Sequence, residues 1–415
     1  MSPGRHLPES AVLSAGPGLD PRILKSVRER ALATGGELDA IALAGAVHDS
    51  GAALGSTGAA QSLQALQNEV SGLSVLEPFA RREGVTDVLV DGKGQVWTDS
   101  PRGLEATGFC FSSAEQVRSL AVHLATLAGR RLDTASPYMD MSLNNYRIHA
   151  VIPPIATEGP LISIRVKSGR HMELAAVLEH APGFWRPLLG AILARTQNFL
   201  ITGGTGSGKT TLLQAMLCEV RPDHRLLIIE DSQELQVQHP HVISLQARSA
   251  NSESTGAVQL RDLVIQALRM RPDRLIVGEC RGAEIRDFLA AMNTGHQGAC
   301  GTLHANHPQA VPARLASLGA MAGWNLQATS LQAASALDLI IHMDRQGQGR
   351  RSPVALGILE TDAQDHLMVS TLIDTCSGTP AGPRALAIIE EKLGASVAQS
   401  VSQWQREARE SGAPC

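Results

Sequence analysis

Apolar and polar positions change period several times along the chain, and each change marks a different kind of element. After a Pro/Gly/Ser-rich start over residues 1–19, expected to be disordered, Asp20 and Pro21 read as an N-cap followed by proline at the first helical position. Ile23, Val27 and Ala31 continue at helical spacing until Gly35 and Gly36. GAALGSTGAA at 51–60 predicts a flexible break, followed by a helix over 61–72. Past residue 74 the alternation shortens to a period of two. VTDVLVDGKGQVWTD predicts two strands around a glycine-rich turn, and LISIRVK a further strand. YMDMSLNNYRIHAVIPP predicts a hairpin turned at Asn144 and Asn145. Between them SAEQVRSLAVHLATLAG has helical spacing, with Ser113 as its cap. These elements define a small α+β domain over 75–167, preceded by a helical extension over 1–74.

The basic connector KSGRHMEL and a helix over 184–195 make 168–195 a linker and helix. From residue 196 the texture changes again. NFLITGG, RLLIIED, HVISLQA, RLIVGEC and ACGTLHA are short apolar runs, and helical stretches such as TLLQAMLCEV and LRDLVIQALRM alternate with several of them. That alternation predicts an α/β domain over 196–375, with a mostly parallel sheet flanked by helices. ALDLIIHMDR and VALGILE complete it, and 376–415 reads as a polar, helix-like tail.

Composition narrows the class. The 415 residues are 43% hydrophobic but only 3% aromatic, so the cores must be built from aliphatic side chains. A net charge of −4 and the scarcity of aromatics argue against a nucleic-acid partner. Cys110, Cys218, Cys280, Cys300, Cys376 and Cys415 are scattered with no CxxC pair, which predicts reduced thiols in a cytosolic protein. No apolar run is long enough to span a bilayer, and MSPGRHLPES lacks the features of a signal peptide.

The strongest chemical signal is ITGGTGSGKTTLL. Gly203, Gly208, Lys209 and Thr210 fit G-x-x-x-x-G-K-[ST] between an apolar run and a helical one. Along Gly203, Gly204, Thr205, Gly206, Ser207 and Gly208, glycines let backbone N–H groups close around phosphate oxygens. The helix N-terminus, where Thr211 also lies, adds its positive end. Lys209 supplies charge to the β/γ-phosphates and the Thr210 hydroxyl a magnesium ligand. Carboxylates follow two other apolar runs: Glu279 after Leu275-Ile276-Val277, and Glu230 and Asp231, then Glu234, after RLLII. At strand tips beside a phosphate loop, Glu279, Glu230 and Asp231 can hold Mg²⁺ directly or through water, and Glu279 and Glu230 can activate the attacking water.

TGHQGACGTLHANHP, at 294–308, raises a different possibility. His296, Cys300 and His304 are four apart, and on a helix they would form one metal-ligating face. Gly295, Gly298 and Gly301 oppose a helix, each costing about 1 kcal/mol against alanine. A strand over ACGTLH puts Cys300, Thr302 and His304 on one side and leaves His296 outside, so no zinc site is expected.

Four boxes stand in one order: GGTGSGKT, IIEDSQELQ, LRMRPDRLIVGECRGAE and TGHQGACGTLHAN. Together they resemble the Walker A, Asp, Walker B and His boxes of type II and type IV secretion ATPases, the superfamily of VirB11-like, PilT-like and CpaF/TadA-like proteins. LSVLEPFARREGVTDVLVDG and RIHAVIPP…GPLISIR also look like the CpaF/TadA branch, which assembles Flp/Tad-type pili. The four-cysteine insertion of type II members has no counterpart. The resemblance implies a RecA-like P-loop ATPase domain behind a smaller N-terminal domain, ATP and Mg²⁺ as cofactors, and a homo-hexamer. It implies a cytoplasmic enzyme docked on inner-membrane platform proteins of a pilus or secretion system. It also implies that Arg147 and Arg165 reach the nucleotide, and that His304 bonds the γ-phosphate. His296 is an assistant on this reading, and Arg269, Arg271, Arg274 and Arg281 are candidates for contact with a neighbouring subunit. A VirB11-like conjugation ATPase, a RecA-type DNA translocase and a nucleotide-gated binding module are the alternatives.

Overall fold

The computed structural model describes residues 72–100, 102–167, 172–248, 256–346, 350–376 and 381–411, with a few positions between 26 and 50. The helices expected within 20–34 and over 61–71, the break at 51–60, much of the connector and Cys415 lie outside the described residues. The chain divides into two compact units, Met1–Gly169 and Arg170–Cys415.

In the first unit, β1 (Asp87–Val90), β2 (Gln95–Ser100), β3 (Gly103–Cys110), β4 (Tyr138–Leu143), β5 (Tyr146–Val151) and β6 (Leu161–Val166) form an antiparallel sheet ordered β3-β2-β1-β6-β5-β4. The expected hairpin is β4–β5, with Asn144 at φ 50°, a conformation asparagine tolerates. Helix α1 (Ala114–Leu127) is capped by Ser113, whose side chain accepts from the Gln116 N–H. Alternation sorts each strand between two faces. Val88, Ile148 and Ile164 join Leu120 and Leu124 of α1 in the core, while Arg147, His149, Ser163 and Arg165 point the other way. Strand β3 was not expected; its outward-leaning GLEATGFC buries too little to give a clear apolar rhythm.

Glu77 is buried in this unit. Its carboxylate accepts from the Leu73 N–H at 2.8 Å, Arg81 Nε at 2.8 Å and Tyr146 Oη at 2.8 Å. Burial, helped by that carboxylate, pushes the Tyr146 phenol up to about 12.

The second unit is built on an eight-stranded sheet ordered β14-β13-β12-β7-β11-β10-β8-β9. Its strands are β7 (Phe199–Gly203), β8 (Leu226–Glu230), β9 (Val242–Gln246), β10 (Arg274–Val277), β11 (Cys300–His304), β12 (Leu339–Arg345), β13 (Arg351–Thr361) and β14 (Leu367–Asp374). The six from β12 to β9 in that order run parallel; β13 and β14 add an antiparallel edge. Strand β14 extends the domain beyond the expected VALGILE.

Successive residues feed opposite cores. Phe199, Ile201, Ile228, Ile276 and Cys300 face α2 (Trp185–Ala194) and α3 (Lys209–Cys218). Leu200, Ile229, Val277 and Leu303 face α4 (Leu260–Ala267), α5 (Glu284–Asn293), α6 (Val311–Met321) and α7 (Leu326–Ala336). Each such aliphatic side chain contributes roughly 1.5–3 kcal/mol on burial.

The segment read as a polar tail forms α8 (Pro383–Leu393) and α9 (Ala395–Ser411), which pack into the α2–α3 core. Ile389, Leu393, Val397 and Val401 are buried there, and the Trp404 ring lies 4.8 Å from that of Phe184. Lys392 bridges to Asp338 at 2.9 Å, and Asp338 in turn accepts from the Asn198 N–H that begins the β7 edge. The apolar positions recur at helical spacing between charges, so only one stripe of each helix is apolar.

Candidate nucleotide-binding site

The parallel strands β7, β11, β10 and β8 end on one edge, the edge where ligands of open parallel sheets bind. Strand β7 runs into Gly203, and the loop through Gly208 returns to start α3 at Lys209. A side chain on Gly203 would collide with the Met343 carbonyl and Ser207 Oγ, and Gly206 and Gly208 hold φ of 70° and 95°. The first turn of α3 has no side-chain cap, which leaves its N–H groups directed at the loop.

Lys209 Nζ donates to the carbonyls of Gly203 at 3.0 Å and Gly204 at 2.8 Å. Burial lowers its pKa, against an upward pull from Glu279. The buried Ser207 Oγ has no partner in this structure. A glycine cradle, an uncapped helix start, an orphaned hydroxyl and an ammonium on loop carbonyls fit the phosphates of a nucleotide. Thr210 and Thr211 follow, half-buried, in the first turn. A magnesium ion there draws most of its oxygens from phosphate and water, so one or two protein oxygens suffice.

Within the histidine stretch, Cys300–His304 forms strand β11 and not a helix. Cys300 is fully buried and its thiol is pushed up to about 12. His296 lies before the strand, near the Ala291 carbonyl. Among the described residues no three His, Cys, Asp or Glu side chains are grouped to hold a metal ion. Strand β11 lies directly beside β7, with His304 in register with Gly203. His304 Nε2 is 3.2 Å from Thr205 Oγ1 in the loop.

Glu279 follows β10, and its strand is not adjacent to β7: β11 lies between. The Glu279 carboxylate pairs with Arg281 at 2.6 Å. Glu279 and Glu234 pull the Lys209 pKa up and Arg281 pulls it down, all less than burial lowers it. Glu230, at the tip of β8, is turned inward. It is 5% exposed, and its Oε1 accepts the N–H groups of Glu234 and Leu235, both at 3.1 Å. Asp231 beside it is exposed. Three of the flanking arginines are at least partly solvent-facing, whereas Arg274 is withdrawn from any partner surface. It is buried, with Nη2 donating to the Leu193 carbonyl at 2.6 Å. Cys280 is an apolar core residue.

Arg147 and Arg165 belong to the first unit, opposite each other on β5 and β6. Arg147 pairs with Asp140 at 2.8 Å and Arg165 with Asp87 at 3.1 Å. The sequence assigns no role to three side chains of the second unit. Thr302 Oγ1 donates to the Gly278 carbonyl at 2.6 Å. Glu284 Oε1 accepts the N–H groups of Arg281 and Gly282. The buried His342 lies with Nδ1 2.9 Å from Thr202 Oγ1. A polar residue inside an otherwise apolar strand was the available signal for Thr302 and His342.

A family model for type II/IV secretion system proteins matches residues 69–411. The chain belongs to this family. A Mycobacterium tuberculosis protein named "Putative conjugal transfer protein" is 46% identical over 317 residues, covering 74% of this chain and 90% of its own. The conjugal transfer protein TrbB of Rhizobium radiobacter is 31% identical over 278 residues, covering 64% of this chain and 81% of its own. The crystal structure of the pilus retraction motor PilT with bound ADP has a similar fold, with a TM-score of 0.50 at 20% identity, covering 80% of this chain and 90% of PilT. Among the described residues, this family member has no helix long and apolar enough to cross a membrane.

Proposed function

We propose that this family member is a Mg²⁺-dependent ATPase whose hydrolysis cycle drives a membrane-embedded secretion or pilus-assembly machine. The observation that carries the reading is that the Lys209 loop, His304 and Glu279 stand at the same end of the neighbouring parallel strands β7, β11 and β10, with His304 touching the loop. Bound ATP with Mg²⁺ supplies the phosphoryl group and neutralises its charge. Gly203, Gly204, Thr205, Gly206, Ser207 and Gly208 present the backbone cradle. Lys209 exchanges its carbonyl partners for phosphate oxygens, and Thr210 and Thr211 sit at the helix start. Glu279 holds the proton of the attacking water on its carboxylate. Thr210, Glu279, Asp231 and Glu230 would hold the magnesium ion, directly or through water. His304, beside Thr205 of the loop, would hydrogen-bond the γ-phosphate and give up that bond when the phosphate leaves. On the family resemblance, Arg147 and Arg165 add positive charge to the same nucleotide.

The resemblance further supports a homo-hexamer on the cytoplasmic face of the inner membrane, working on platform proteins. The stretches LSVLEPFARREGVTDVLVDG and RIHAVIPP…GPLISIR favour the CpaF/TadA branch and Flp/Tad-type pili. A second reading, a conjugation-type ATPase, is favoured by the names of the Mycobacterium and Rhizobium relatives. Of the expected domains, 75–167 is proposed as the first folded one, and the second is proposed to run beyond 196–375, because α2, α8 and α9 pack into its core.

Phosphate release from ATP by the purified chain tests the activity. Lys209→Ala and Glu279→Gln should both lose it; wild-type-like turnover by Glu279→Gln would sink the role given to that carboxylate. Capture from membrane fractions separates the systems, since pilus platform proteins and conjugation components are different partners. Hydrolysis stimulated by DNA would revive the translocase reading.

A further inference from the structure

The turn that carries Glu279 is held from several directions by groups that do not touch the phosphate loop. On the β8 side, the Gly278 N–H donates to the Ile229 carbonyl at 2.9 Å. On the β11 side, Thr302 Oγ1 donates to the Gly278 carbonyl at 2.6 Å, and the Cys280 N–H donates to the Thr302 carbonyl at 2.9 Å. Thr302 therefore grips the residue before Glu279 with its side chain and the residue after it with its backbone. Beyond the turn, Glu284 fixes the N–H groups of Arg281 and Gly282. Thr302 is 1% exposed, so its hydroxyl bond is made away from water, where a lost partner is not replaced. Gly301 precedes it, and any side chain there would collide with the Val277 carbonyl, so β10 and β11 approach closely just below the turn.

We propose that Thr302 is a positioning residue that sets the Glu279 carboxylate for water activation. Two residues further along the same strand, His304 touches Thr205 of the phosphate loop. Strand β11 thus holds the base turn at one point and meets the nucleotide loop at the next. This role rests on the reading of Glu279 as the proton acceptor given above.

The test uses Thr302→Val, which keeps shape but deletes the donor, and Thr302→Ser, which restores it. Steady-state and single-turnover ATP hydrolysis are measured with nucleotide affinity, alone and in a Glu279→Gln background. Thr302→Val should lower kcat roughly tenfold, the effect of one buried hydrogen bond, with KM and nucleotide affinity within about twofold of wild type. Thr302→Ser should recover most of that loss. In the Glu279→Gln background, Thr302→Val should cost nothing more, because the group it positions is gone. Should Thr302→Val not fold, Thr302→Cys, a weaker donor of similar size, must fall between wild type and a Thr302→Ala variant in kcat. Equal losses in Val and Ser, a loss in affinity in place of kcat, or the same factor in both backgrounds overturns the proposal while leaving Glu279 in its role. Wild-type turnover by Glu279→Gln removes the Glu279 assignment and this one together.

Discussion

His304 Nε2 and Thr205 Oγ1 lie 3.2 Å apart, joining the end of β11 to the tip of the phosphate loop. A side chain that contacts the loop without belonging to it can respond to phosphate occupancy without being needed for binding. His304→Ala should lower ATP turnover about tenfold or more while nucleotide affinity stays within about threefold. Removal of zinc by a chelator that spares magnesium should leave the rate unchanged. A fall in affinity as large as the fall in turnover would place His304 among the binding groups instead.

Glu230 makes a prediction through its burial. Glu230→Ala strands the buried N–H of Leu235 and the part-buried N–H of Glu234, and should cost about 1–3 kcal/mol. Glu230→Gln retains an acceptor oxygen and should melt close to wild type. Magnesium titrations on Glu230→Gln then decide whether the carboxylate also serves the metal: a raised Mg²⁺ requirement says that it does, an unchanged one that it does not.

Gly278→Ala should act on the same carboxylate from the other side. A methyl group there would lie 2.7 Å from Glu230 Cγ. Displacing that side chain should lower both melting temperature and turnover, and Glu230→Ala, by emptying the space, should partly restore the melting temperature. Independent, additive losses would show that the two residues do not press on each other.

The buried His342 gives a pH dependence. Burial holds its imidazole below the ordinary 6.5. Above 6.5 it is neutral folded and unfolded; below that the unfolded chain takes the proton first, so stability falls as pH drops toward the folded value. Thermal melts between about pH 8 and 5 should show this acid-side slope, flatter in His342→Gln. His224, whose pKa burial also lowers, contributes to the slope that remains. An identical slope in wild type and variant would place the titration elsewhere.

The closing helices supply a packing test. Leu393, 3% exposed in the α2–α3 core, should cost about 2–5 kcal/mol when cut to alanine. Calorimetry or denaturant melts of Leu393→Ala check it, and a change of a few tenths would mean that α8 is not part of the cooperative unit.

Local signals were legible in the chain and long-range ones were not. The phosphate loop needs glycines, lysine and threonine at fixed spacing, so Gly203 to Thr210 could be read directly. So could Ser113 as a cap and Asn144 in its turn, because each acts within a few residues. Which strand lies beside which is decided by pairing across a hundred residues, and β11 between β7 and β10 could not be read from either. Glu230 looked like Glu279 because an acidic residue after an apolar run carries no mark of which way its side chain turns. Helix α7, LQATSLQAASA, escaped because alanine and serine give little apolar contrast. Helix α9 did carry its spacing in Val397, Val401 and Trp404, hidden among polar neighbours.

The packing of α8 and α9 on α2 also has a consequence for synthesis. Helix α2 leaves the ribosome near the start of the second unit, with Trp185 and Leu188 on the face that α8 and α9 complete. The residues that finish that core are made about two hundred positions later, a contact of long sequence separation. Until Val401 and Trp404 emerge, the apolar side of α2 stays partly uncovered. The nascent chain must wait, or be shielded, and folding of this unit ends only when its last helix is delivered.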